Sequence, residues 1–290
     1  MSDTVFVTLV TSAQAARRVR LLVESLRAFG GGLRESPVWV FVIGDLADAF
    51  RDRSLRAVRQ IPLQTPDRLP RYYFLNKVRA CSQAETLAAG QAGSLVWLDP
   101  GCLIVHPPGG FHLTPPARAA FRPVHVQNVG SLAGEPLDDY WAAIYRASGL
   151  EDTERTLESF VDGQTLRPYF NTHCFAVDPA AGLMATWLAH FETLVADRSF
   201  QSTACREELH RIFLHQAVLS ALLVQALAPE QIRLLPAEYS YPLHLQARIP
   251  ASRRASTLNE LACAVYEEDG DLTAVPAVGP LASWLRERTG

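Results

Sequence analysis

The stretch "SLVWLDPGCLIVHPP", Ser94 to Pro108, holds two apolar runs on either side of Asp99-Pro100-Gly101. A short apolar run bounded by turn residues is typical of a buried strand, and aspartate, proline and glycine in succession favour a tight turn. We predict a strand at 94–98, a reversal at 99–101 and another strand in "LIVHPP". Asp99 then lies at the carboxyl end of the first strand, where open α/β sheets bind their ligands.

The residues before this stretch repeat a pattern of strand and helix. An apolar run at 5–10 leads into a helix with apolar residues at helical spacing, further strands are predicted at 38–44 and 57–63, and a helix at 72–89 precedes Ser94. This alternation predicts a parallel sheet with helices on both faces. Beyond residue 109 the alternation is less regular, which favours an α/β fold with a mixed, mostly parallel sheet in one domain.

Composition excludes several classes of partner. The chain has 290 residues, 27 of them lysine or arginine against 30 aspartate or glutamate, so no basic footprint for nucleic acid is expected. No run approaches the roughly 18 apolar residues of a membrane span. The five cysteines are widely spaced and form no C-x-x-C pair, which disfavours a zinc site or a disulfide framework and predicts a cytoplasmic location.

Two groups of polar residues fall near the predicted ligand edge. Lys77 stands in the first turns of the helix at 72–89, where its ammonium either meets a phosphate or extends past a packed stem to solvent. Thr11 and Ser12 follow the first strand, where a hydroxyl caps the next helix. Arg17 and Arg18, one turn later, are expected to be surface charges.

The second half of the chain adds further candidates. Asn171 offers amide donors and an acceptor for a polar ligand, or satisfies backbone groups where a strand begins. His215 shares a helical stripe with Ile212, Leu219 and Leu222, so it faces the packed side and is either a core group or a catalyst. Tyr241 lies in the loop "AEYSYPLHL" and either stacks on a ligand or packs in the core.

The order of these features is similar to a known family. The chain resembles the GT-A-fold nucleotide-sugar glycosyltransferases, particularly the glycogenin-like and galactosyltransferase-like enzymes. The resemblance lies in the order of its features, which are a parallel first half, a lysine-bearing helix, "VWLDPG", "YFN" before a short strand, "HQ" on an apolar helix and then "LLPAEYSYPL". The resemblance covers residues 5–245. It implies a single GT-A-like domain with a nucleotide-binding half at 1–108, a sugar and acceptor half at 109–250 and a C-terminal extension at 251–290.

The resembled family holds Mn²⁺ or Mg²⁺ against the donor diphosphate with a D-x-D motif. Asp99 matches the first aspartate, whereas Gly101 stands at the second, so the motif is degenerate. In that family a C-terminal histidine often adds a ligand, and His244 is the candidate here. The resemblance therefore implies either a metal held by Asp99 and His244 or metal-independent activity, and the two are left open equally.

The resemblance also assigns site residues. It places Asp99, His215 and Gln216 at the reacting groups, and it places Thr11, Ser12, Lys77, Asn171, His173 and Tyr241 around the substrates. The expected function is sugar transfer from a nucleotide diphosphate donor to an unidentified acceptor. One alternative is a nucleotide-sugar-binding or regulatory protein that has lost transfer. A weaker one is a nucleotidyltransferase, whose glycine-rich, lysine-containing phosphate loop is missing after the first strand.

Overall fold

The structure is a computed structural model that describes residues 3–43, 57–63 and 72–289. Its strands are β1 (Thr4–Val10), β2 (Val38–Val42), β3 (Val58–Pro62), β4 (Ser94–Leu98), β5 (Cys102–Ile104), β6 (Ala119–Phe121), β7 (Leu157–Glu158), β8 (Thr165–Leu166), β9 (Cys174–Val177), β10 (Ile232–Leu234), β11 (Tyr241–Pro242) and β12 (Cys263–Val265). Its α-helices are α1 (Ala13–Phe29), α2 (Leu75–Ala88), α3 (Asp139–Ala147), α4 (Leu183–Ala196), α5 (Arg198–Ser202), α6 (Glu208–Ala226) and α7 (Gly279–Thr289).

The central sheet is mixed and mostly parallel. Among the described residues it has seven strands in the order β10-β6-β9-β4-β1-β2-β3. The strand β9 is antiparallel to both of its neighbours, β4 and β6, whereas the other neighbouring pairs are parallel. This confirms the predicted α/β class, and it brings the carboxyl ends of β1, β4 and β6 to one edge together with the amino end of β9.

Helices cover both faces of this sheet because successive side chains of a strand point to opposite sides. On one face Phe6, Val38, Val40 and Val96 pack with α1. On the other face Val5, Val7, Trp97 and Phe175 pack with α2, α3, α4 and α6. The strands β1, β2 and β4 are buried along their whole length, which explains why their sequences read as continuous apolar runs.

The strand predicted in "LIVHPP" does not extend the central sheet. After the turn at Asp99, β5 pairs antiparallel with β12, and β12 pairs with β11 in a separate small sheet. Two segments that are far apart in the sequence therefore complete one sheet beside the predicted ligand edge. The segment predicted as a C-terminal extension contributes β12 to it.

The predicted helices are present with shifted bounds. The helix expected at 72–89 begins at Leu75, and the predicted strand at 38–44 ends at Val42, with residue 44 outside the described ranges. His215 lies on the packed side of α6 as its stripe predicted. Of the helices that the structure describes, none combines the length and apolar character needed to cross a bilayer.

Candidate functional site

A cleft of about 530 Å³ opens at the carboxyl ends of β1 and β4. Of the residues predicted from the sequence, it is lined by Thr11, Ser12, Lys77, Asp99 and His173. The first two follow β1, Asp99 follows β4, and His173 precedes β9. The strand order therefore gathers residues that are far apart in the sequence into one site, at the edge of the sheet where the position of Asp99 predicted it.

Asp99 is held in place by its neighbours. The Lys77 ammonium lies 2.9 Å from Asp99 Oδ1 and 3.0 Å from Oδ2, and the Trp97 indole donates to Oδ1 at 2.7 Å. Lys77 also donates to the Thr172 carbonyl at 2.6 Å and is 4% exposed, whereas the Asp99 side chain is 18% exposed. The buried ammonium is thus neutralised by a carboxylate that faces the cleft.

The turn after Asp99 is closed by its own backbone and by the C-terminal segment. Cys102 N–H donates to the Asp99 carbonyl at 2.9 Å, and Tyr266 N–H donates to the Gly101 carbonyl at 2.9 Å. A Cβ at Gly101 would lie 2.3 Å from the Tyr266 carbonyl oxygen. Because that atom belongs to the backbone, position 101 is sterically closed to any side chain.

The amino end of α1 forms another wall of the cleft. Ser12 caps the helix, its Oγ accepting from Ala15 N–H at 3.1 Å, so the predicted cap is confirmed. Arg18, predicted to be a surface charge, instead lines the cleft and bonds Asp269 and the Glu267 carbonyl, with its guanidinium 5.1 Å from the Tyr266 ring. A helix amino end and a nearby guanidinium both attract negative charge.

An exposed aromatic ring stands at the mouth of the cleft. Phe74 precedes α2 with a left-handed backbone (φ 58°), and its side chain remains 44% exposed. Its ring stacks on the His215 imidazole, with centroids 4.2 Å apart and planes at 23°. A non-glycine residue in this conformation stores strain, and such strain is concentrated at functional sites.

Asn171 orients His173 from behind the cleft wall. The Asn171 carbonyl oxygen accepts from His173 N–H at 2.8 Å, from His173 Nδ1 at 3.0 Å and from Ser240 Oγ at 3.0 Å. Since that oxygen only accepts, Nδ1 carries the proton of His173 and Nε2 keeps a lone pair. Burial lowers the pKa of His173, which keeps the ring neutral at pH 7. Asn171 itself is 3% exposed, and its side-chain oxygen accepts hydrogen bonds from protein groups.

His215 and Gln216 form a layer beneath Phe74 and Lys77. His215 Nδ1 donates to the Ile212 carbonyl at 3.0 Å, and its Nε2 accepts from Thr172 Oγ1 at 3.1 Å. Burial, with the Lys77 ammonium nearby, holds the pKa of His215 well below its ordinary value. Gln216 is 4% exposed, with Oε1 3.3 Å from the same hydroxyl. Neither side chain lines the cleft, so both support residues that do.

The remaining predicted residues, Tyr241 and His244, do not line the cleft. Tyr241 is buried, donates to Gln246 Oε1 at 2.5 Å and accepts from Ala255 N–H at 2.9 Å, and it lines a second cavity. His244 Nε2 lies 3.3 Å from Oε1 of Glu267, whose residue lines the cleft. His244 therefore supports the rim, and Tyr241 belongs to the neighbouring cavity.

These residues do not fit a divalent cation. Both Asp99 oxygens already accept N–H donors, Gly101 has no room for a ligand, and His244 pairs with Glu267. Across residues 3–43, 57–63 and 72–289 no three His, Cys, Asp or Glu side chains are grouped so as to hold a metal ion. A metal would need to displace Lys77 or Trp97 from the carboxylate.

Sequence reasoning missed Arg18, Phe74, Tyr266 and Glu267 as residues of the cleft. Arg18 had a signal, because it lies between one and two turns after the Ser12 cap of a helix that begins at the ligand edge. Phe74 had a weaker signal as an aromatic residue in the loop before α2. Nothing in the local sequence of Tyr266 and Glu267 indicates that they reach the cleft, since β5 brings them there through its pairing with β12.

Comparison with known proteins agrees with this architecture. Residues 7–227 match the family described as the Rhodobacterales glycosyltransferase domain. No curated protein matches the chain. The matched range contains Lys77, Asp99 and His173 and ends before the C-terminal segment that closes the turn at Gly101. Since it spans most of the chain, the protein belongs to the Rhodobacterales glycosyltransferase domain family.

Proposed function

We propose that this protein transfers a sugar from a nucleotide diphosphate donor and that its fold is of the GT-A type. The observation that carries the proposal is the cleft at the carboxyl ends of β1 and β4, which joins a helix amino end, a guanidinium and an exposed aromatic ring in one site. In an open α/β sheet this is the edge where nucleotides bind. Family membership supports the transfer, and the site supports the class of donor.

The charges of the cleft suit a diphosphate without a metal ion. The amino end of α1 and the Arg18 guanidinium lie on one wall, where the diphosphate would bind. The Phe74 ring offers an apolar face for the base or the sugar. Asp99, neutralised by Lys77, keeps lone-pair capacity for a sugar hydroxyl. We assign the donor to this cleft in a metal-independent mode.

His173 is the group best placed to accept a proton. Its Nδ1 proton is committed to Asn171, its ring lines the cleft, and its lowered pKa keeps the Nε2 lone pair available at neutral pH. We assign it to the hydroxyl of the acceptor. His215 and Gln216 are positioning residues in this scheme, because they contact Phe74 and Thr172 rather than the cleft.

Calorimetry with uridine and guanosine diphosphate sugars tests the proposal. We expect binding that is equal with and without Mn²⁺, because Asp99 is already paired with Lys77 and the described residues hold no group of three His, Cys, Asp or Glu side chains suited to a metal. Arg18→Gln should weaken it about tenfold, equivalent to about 1.4 kcal/mol, since a charge-assisted contact is lost. The matched control is Arg17→Gln, one residue earlier on the same helix and exposed outside the donor cleft. Absence of nucleotide binding under every condition would contradict the proposal.

A second candidate is a nucleotide-sugar-binding or regulatory protein without transfer. The closed position at Gly101 favours it, because the carboxylate pair that assists departure of the diphosphate in the resembled family is incomplete here. Donor consumption separates the two functions. Tight binding with neither hydrolysis nor transfer across a panel of sugar and polyol acceptors supports the binding protein, whereas release of free nucleoside diphosphate supports the enzyme.

A further inference from the structure

A second cavity, of about 690 Å³, opens at the same edge of the central sheet as the donor cleft. It begins where β6 ends, and β9 separates β6 from β4 in the sheet. Its walls come from Arg122 and Pro123 after β6, from Phe160, and from the segments around Tyr241 and Arg253. The donor cleft and this cavity are therefore neighbours across the strand that His173 precedes.

Arg122 is a buried cation in the wall of this cavity. It is 3% exposed, and its buried Nε has no hydrogen-bond partner in the described ranges 3–43, 57–63 and 72–289. Within the part of the chain that the structure describes, no carboxylate lies within 4 Å of its guanidinium; Glu238 raises its pKa from a greater distance. Burial lowers the pKa of Arg122 to about 10, which still leaves it charged at pH 7.

The contact that Arg122 does make leaves its donors free. Its guanidinium carbon lies 4.4 Å from the centroid of the Phe160 ring. A cation–π contact uses the charge of the guanidinium and not its N–H donors, which stay available for an anion. A buried charge without a counterion is unfavourable by several kcal/mol, and an anion that reached those N–H groups would relieve that cost.

Three acidic residues line the cavity, of which Glu238 is half-buried and raises the pKa of Arg122, while the other two have partners elsewhere. Glu158, exposed at the rim, forms an ion pair with Arg253. Glu260, also exposed, accepts from the backbone N–H groups of Ser256 and Thr257. The deepest charged side chain of the cavity is thus the arginine, and Phe160 and Tyr241 provide aromatic surface next to it.

The backbone joins this cavity to the donor cleft. Asn171 N–H donates to the Arg122 carbonyl at 2.8 Å, while the Asn171 side chain orients His173 in the cleft. A molecule anchored at Arg122 and extending past this wall would present a hydroxyl toward His173.

We propose that this cavity is the acceptor subsite and that it selects acceptors bearing a carboxylate or phosphate, such as sugar acids or sugar phosphates, which Arg122 binds as a bidentate ion pair. The term acceptor rests on the proposed function; anion binding at Arg122 does not. Neutral sugars of the same shape would lack this contact.

The test is calorimetry of the whole protein, without donor, against D-glucuronate, D-glucose 6-phosphate and D-glucose. We expect one or both anions to bind at least tenfold more tightly than glucose, and their comparison shows whether carboxylate or phosphate is preferred. Arg122→Met should remove that preference. Arg118→Met is the matched control, because Arg118 immediately precedes the same strand at its other end and pairs with Asp178.

A stability measurement distinguishes a ligand-binding arginine from a structural one. If Arg122 is unpaired in the free protein, Arg122→Met should keep or raise the melting temperature while abolishing anion binding. Equal affinity of the unaltered protein for glucose and both anions, or anion binding that survives Arg122→Met, would overturn the inference.

The two proposals fail in different ways. If nucleotides bind in the cleft but anionic sugars bind no more tightly than glucose, the proposed acceptor class is refuted and the transferase proposal still stands. If anionic sugars bind in a manner that depends on Arg122 but no nucleotide binds, the transferase proposal is refuted and the anion site is supported.

Discussion

At Gly101 a backbone carbonyl occupies the space that a side chain would need. The Tyr266 oxygen lies 2.3 Å from the position of a Cβ there, and the Tyr266 amide bonds the Gly101 carbonyl. Glycine at position 101 is therefore a packing requirement of this chain. The carboxylate two residues earlier, Asp99, is paired with Lys77.

Gly101→Ala should lower the free energy of unfolding by about 1–3 kcal/mol, because the added methyl group must displace backbone of the C-terminal segment. Urea unfolding measures the change. Gly109→Ala is the control, since nothing lies within 4 Å of its Cβ position, and it should stay within about 0.5 kcal/mol of the parent. Equal stability of both variants, or Mn²⁺ binding by Gly101→Asp, would refute the steric explanation.

At the scale of the element, α1 combines a structural cap with a wall of the cleft at the carboxyl ends of β1 and β4. Ser12 accepts from Ala15 N–H, and the seventeen-residue helix directs its positive end into the cleft. In the proposed function this helix end both carries the cap and binds the donor, and two substitutions separate these roles.

Ser12→Ala should cost about 1 kcal/mol of stability, because the hydroxyl acceptor of the cap is lost. Ser12→Asp retains an acceptor and should keep the stability of the parent, yet its negative charge should weaken uridine diphosphate binding at the same helix end. Thermal unfolding and calorimetry on both variants check this. Undiminished nucleotide affinity in Ser12→Asp would argue against a diphosphate at the amino end of α1.

At the scale of the whole molecule, the site is built around buried neutral histidines. Burial lowers the pKa of His125, His173 and His215. Above pH 6.5, the ordinary histidine pKa, both folded and unfolded chains are neutral at these rings. Below it the unfolded chain takes up protons that the folded chain excludes, so stability declines as the solution becomes more acidic.

We expect the free energy of unfolding to fall between pH 6.5 and 5.5 by up to about 1.4 kcal/mol per pH unit for each such histidine. Urea unfolding at pH 7.5, 6.5 and 5.5 measures it. His215→Gln should reduce the slope, whereas His106→Gln, at an exposed ring, should leave it unchanged. Identical slopes for the parent and His215→Gln would show that His215 accepts a proton in the folded protein.

Local pattern alone determined much of this architecture. Buried strands read as apolar runs, so 5–10 and 94–98 were predictable, and their succession placed Asp99 at the ligand edge. The stripe through His215 predicted its packed side, and the position of Ser12 predicted the cap. These properties depend on neighbours within one or two turns, which a linear sequence displays directly.

Tertiary structure decided which of those residues work together. Lys77 bonds Asp99 rather than facing solvent, Arg18 lines the cleft, and Arg122 is buried with no ion partner among the residues that the structure describes. Gly101 is closed by Tyr266 because β12 returns to pair with β5. Each outcome depends on contacts between segments far apart in the chain, and such contacts are set by how whole strands and helices pack, which no local pattern encodes.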